Sequence, residues 1–151
     1  MDLHEQIREA LELQAIEADG PGAARVLQTA ILEHTGVPVG DALLDAAAVA
    51  LRRMVLETEE TMVAPELMTR LALDGTVPED RIELLLTTMT MAAATAGGIR
   101  PSVEALIGGE GIEDAMFGLW LGLLTIVRVV SMALDMTEAE LVEDVLVALE
   151  P

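Results

Sequence analysis

The residues able to do chemistry are few. The chain carries two histidines, His4 and His34, two serines, Ser102 and Ser131, and no cysteine, lysine, tyrosine or asparagine. Each histidine sits beside a glutamate, in His4-Glu5 and Glu33-His34. Adjacent residues on a helix diverge by about 100°, so neither pair forms a shared site. No Glu-x-x-His or His-Glu-x-x-His spacing is present, which removes the usual helical metal arrangements. A serine nucleophile would need a histidine base and a strained turn to present it, and neither serine has that context. The missing lysine excludes Schiff-base chemistry and the phosphate-loop ammonium. The missing cysteine excludes disulfides, thiolate nucleophiles and cysteine-based metal sites. Glu57 and Glu60, three residues apart, could share a divalent cation with Glu33 or Glu66 if the fold gathers them. A solvated acidic face is the preferred reading of that pair. The sequence thus supports neither catalysis nor a cofactor.

One further side chain stands out. Arg128 interrupts the long apolar run over 111–134, and its i±3 and i±4 neighbours are Leu124, Thr125, Ser131 and Met132, none of them charged. A buried guanidinium must be paired or must reach for water, so an interhelical ion pair or a snorkelling stem is expected. The functional alternative makes Arg128 the grip for the head group of an apolar acid, with Met116, Phe117 and Trp120 lining the pocket. On another face, Gly118, Gly122 and Thr125 recur at helical spacing. Small residues in that pattern allow close helix packing or serve as a self-association interface.

The run 111–134 is predicted to be a buried core helix. Its longest charge-free stretch, 115–127, is thirteen residues, whereas about twenty are needed to span a bilayer. The helices around it follow from punctuation. A first helix is expected over 2–18, with Leu3, Ile7, Ala10 and Leu11 inward. Asp19-Gly20-Pro21-Gly22 turns the chain into a second, which ends near His34. Gly36-Val37-Pro38-Val39-Gly40 reads as a break, with Asp41 capping a third helix to about Thr61 that buries Leu43, Leu44, Ala47 and Leu51. A helix from Pro65 ends at Asp74-Gly75. Another starts at Pro78, and from 82 to 96 it is apolar or threonine all round and therefore expected to be buried on most faces. Ser102 caps a short segment, and Thr137 with Glu140 has the spacing of a reciprocal capping box.

Charge limits the partners. All eight basic residues are arginine and stand against 27 acidic residues, a formal net charge of −19. Nucleic-acid affinity comes largely from counterion release by basic side chains, so nucleic acid is excluded, as are anionic membrane surfaces. The same chain is 52% hydrophobic with a mean hydropathy of +0.48, which excludes a disordered acidic tail and suggests more apolar surface than one copy hides. The N-terminus lacks the basic and apolar regions of a signal peptide.

Together these features predict one all-α domain over 1–151, a bundle of about seven or eight helices around the central helix 111–134, with the 82–96 helix as its main neighbour. The expected function is that of a cytoplasmic, non-enzymatic acidic interaction or adaptor protein, self-associating as a homodimer and engaging a basic protein partner. The alternatives are binding of an apolar small-molecule acid at Arg128 and a carboxylate-based divalent metal site.

Overall fold

The computed structural model describes residues 2–58 and 79–149. Within them lie seven α-helices and no strand: α1 (Leu3–Leu11), continued by a π-helical turn (Glu12–Ile16), then α2 (Gly20–His34), α3 (Gly36–Thr58), α4 (Glu79–Ala96), α5 (Val103–Glu110), α6 (Ile112–Ala133) and α7 (Glu138–Leu149). The fold is the expected all-α bundle around a buried central helix. The helix read from Pro65 to Gly75 lies outside the described residues.

Local chemistry sets most of the boundaries. Asp19 accepts a hydrogen bond from the Gly22 amide at 3.0 Å, so α2 begins with a capped turn and a proline that needs no donor. Ser102 accepts from the Ala105 amide at 3.1 Å. The capping box forms as predicted, the Glu140 amide donating to Thr137 Oγ1 at 3.1 Å and the Thr137 amide to Glu140 Oε1 at 3.2 Å. At the end of α4 the amides of Ile99 and Gly98 donate to the carbonyls of Ala94 and Thr95, with Gly98 at φ +87°. That geometry is a Schellman motif, and Gly98 supplies the left-handed residue it requires.

Three expectations are corrected. The Gly36–Gly40 stretch is not a break but the first turns of α3. The chain instead turns at Thr35, whose φ is +68°, and Pro38 falls in a first turn where its missing donor costs nothing. Asp41 is consequently inside the helix. Second, α4 is not buried on most faces. Leu84, Leu85, Thr88, Met89, Ala92 and Thr95 are inward, while Thr87, Thr90 and Ala93 are exposed. Threonine tolerates either side because its hydroxyl bonds back to its own helix, as Thr87 does to the Glu83 carbonyl and Thr88 to that of Leu85. Third, the most extensive neighbour of α6 is α3, with α4 second.

Glycine explains why α3 and α4 approach α6 so closely. A Cβ added at Gly118 would lie 2.8 Å from Leu84 Cγ, and one at Gly122 would lie 2.6 Å from Thr88 Oγ1. Both members of each pair advance by four residues, so α4 and α6 run in the same direction. Gly36 of α3 lies against Ile112 and Gly40, four residues later, against Leu119, further along α6, and α3 therefore also runs with α6. The small face of α6 is thus used for packing inside the chain. By length and composition α6 could cross a membrane, yet 67% of its most apolar window is buried in the bundle. Here it is the core helix.

Candidate functional site

From Ala115 to Ser131 the central helix is buried except for one stripe: Phe117, Leu121, Leu124 and Thr125, half-buried, and Arg128, exposed. These positions follow one another at i, i+4, i+7, i+8 and i+11, a single helical face. Glu113 and Asp114, both exposed, continue it into the first turn of α6, where carboxylates suit the helix dipole. The stripe therefore carries acid at its N-terminal end, apolar side chains along its middle and a guanidinium at its C-terminal end. From Glu113 to Arg128 it spans roughly 22 Å at 1.5 Å per residue.

Two grooves flank the stripe. The first, about 350 Å³, lies between α4 and α6 and is lined by Leu84, Leu85, Phe117, Trp120 and Leu121, with Glu113 and Asp114 at its mouth. The second, about 230 Å³, runs between α6, the π-helical turn and the start of α7; Leu121, Leu124, Thr125 and Arg128 form one wall, facing Gln14, Ala15 and Glu138. Leu121 lines both.

The four residues proposed for an apolar-acid pocket do not converge. Met116 is fully buried and Trp120 is 6% exposed. Phe117 and Trp120 share the first groove with carboxylates, whereas Arg128 lines the second, roughly 16 Å further along the helix from Phe117. Of the three predicted packing residues, Gly118 and Gly122 face α4, and Thr125 donates its hydroxyl to the Leu121 carbonyl at 2.8 Å on the open stripe. No group of three or more potential metal ligands occurs among the described residues. Glu60 lies outside them, as does the side chain of Glu57.

Two polar clusters were not legible in the sequence. Gln6, 3% exposed, donates to Glu33 at 2.9 Å, and His34 stands 3.8 Å from the same carboxylate oxygen. A buried glutamine on an otherwise apolar face gives no helical-period signal. The adjacent Arg52 and Arg53 diverge around α3. Arg52 donates to the Thr95 and Ala96 carbonyls at the end of α4, at 3.2 and 3.3 Å, while Arg53 pairs with Asp144 of α7. They line a third groove of about 400 Å³ with Val49, Leu141 and Val145, and their contacts there tie α3 to its neighbours. Guanidinium on last-turn carbonyls is favourable by charge and hydrogen bonding alike.

No family model, curated protein or solved structure matches the chain.

Proposed function

We propose that this protein is a non-enzymatic acidic interaction module that self-associates and engages a basic protein partner. The observation that carries this reading is its charge: −19 on 151 residues, in a chain whose described residues form a helical bundle. Such a surface steers cationic partners toward it and repels polyanions. The chemistry-bearing residues support the non-enzymatic part, since the two serines are taken up locally, Ser102 as a helix cap and Ser131 bonded to the Arg128 carbonyl.

The test is titration of the protein into a fluorescently labelled, lysine-rich amphipathic peptide, read by anisotropy. Binding at 50 mM salt is expected to weaken about ten-fold or more at 500 mM, because exposed charges separated by more than a Debye length are screened. An affinity indifferent to salt, or no binding at 50 mM, would remove the basis for the reading.

A further inference from the structure

The open stripe of α6 has a symmetry that its charge pattern makes useful. Glu113 and Arg128 sit at its ends, Phe117 and Leu124 sit inside them, and Leu121 lies near the middle. The first pair and the second are centred on the same point, between Trp120 and Leu121. A two-fold axis placed there sets Glu113 opposite Arg128 of a second copy, Phe117 opposite Leu124, and Leu121 beside its own equivalent.

We infer that the α6 stripe is the homodimer interface, two copies meeting antiparallel across this axis. The inference rests on the self-association in the proposed function and names its surface. A two-fold contact must be self-complementary, the same patch serving both sides. A stripe acidic at one end, basic at the other and apolar between meets that condition in the antiparallel sense, whereas a parallel pairing would set like charges against each other. Arg128 is exposed and shares its groove with Glu138 without an ion pair to any described residue, and the interface brings it a carboxylate from the second copy. The small face carrying Gly118 and Gly122 is unavailable for the purpose because α4 already occupies it.

Sedimentation equilibrium of the full chain tests the inference, with Glu113→Arg, Arg128→Glu and the double variant. Both positions are exposed, so the variants are expected to keep the helical circular dichroism of the parent. The parent is expected to dimerise at micromolar concentration, and each single variant to weaken dimerisation about ten-fold or more, since two symmetry-related attractions become repulsions. The double variant restores it, and a mixture of the two single variants forms a heterodimer. A parent that stays monomeric to 100 µM overturns the inference, as do single variants that dimerise like the parent or a double variant that fails to recover. Salt separates this contact from the engagement of a basic partner. Two copies of −19 repel at long range, so dimerisation is expected to strengthen from 20 to 150 mM salt while binding of the cationic peptide weakens.

Discussion

Gly122→Ala isolates a close approach between α4 and α6. Alanine favours a helix over glycine by about 1 kcal/mol, so on propensity alone the substitution would stabilise α6. Packing opposes it. The new methyl would sit 2.6 Å from Thr88 Oγ1 and 3.2 Å from Thr88 Cβ. The hydroxyl cannot swing away freely, because it donates to the Leu85 carbonyl at 2.8 Å and Thr88 is only 1% exposed. A displaced buried hydroxyl costs about 1–3 kcal/mol if left unpaired, and pushing the helices apart costs a similar amount as overpacking. The net expectation is a loss of up to about 2 kcal/mol, a fall in Tm of up to roughly 6 °C for a chain of this size, measured by thermal and urea unfolding. Gly108→Ala is the control. It makes the same change inside α5, where an added Cβ meets nothing within 4 Å, and is expected to raise stability by up to about 1 kcal/mol. Thr88→Ala should relieve the clash, so that Gly122→Ala costs about 1 kcal/mol less in that background. A Gly122→Ala protein that melts at or above the parent temperature, with no coupling to Thr88, would refute the argument that this contact sets the α4–α6 distance.

Two further substitutions probe the chain's turns. Gly111 joins α5 to α6 at φ +90° and ψ 156°, a region that side chains rarely enter, and Gly111→Ala is expected to cost about 1–3 kcal/mol by urea denaturation although its Cβ would touch nothing. Thr137→Ala removes half of the capping box at the start of α7 and is expected to cost about 1 kcal/mol, read as a lower urea midpoint at unchanged slope.

Local chemistry determined by the sequence covers the fold class, the central helix, the capping box at Thr137 and Glu140 and the Ser102 cap. Each depends on residues within a few positions of one another, so composition and period suffice to read it. The apolar periodicity of α1 likewise points inward as observed, through Ile7, Ala10 and Leu11. Where a short-range signal has two meanings, only tertiary packing chose between them. Gly36 and Gly40 carry the local signature of a break, yet they begin a helix because α5 and α6 press against it there and leave no room for side chains. The threonines of α4 look core-like as a run, but which of them face water depends on where α6 lies. Arg128 and Phe117 share an angular sector in the sequence, and the structure makes that sector the open side of α6 and divides its flanks between two grooves. An angle on one helix is fixed by covalent geometry alone; what lies opposite it is decided by the other helices.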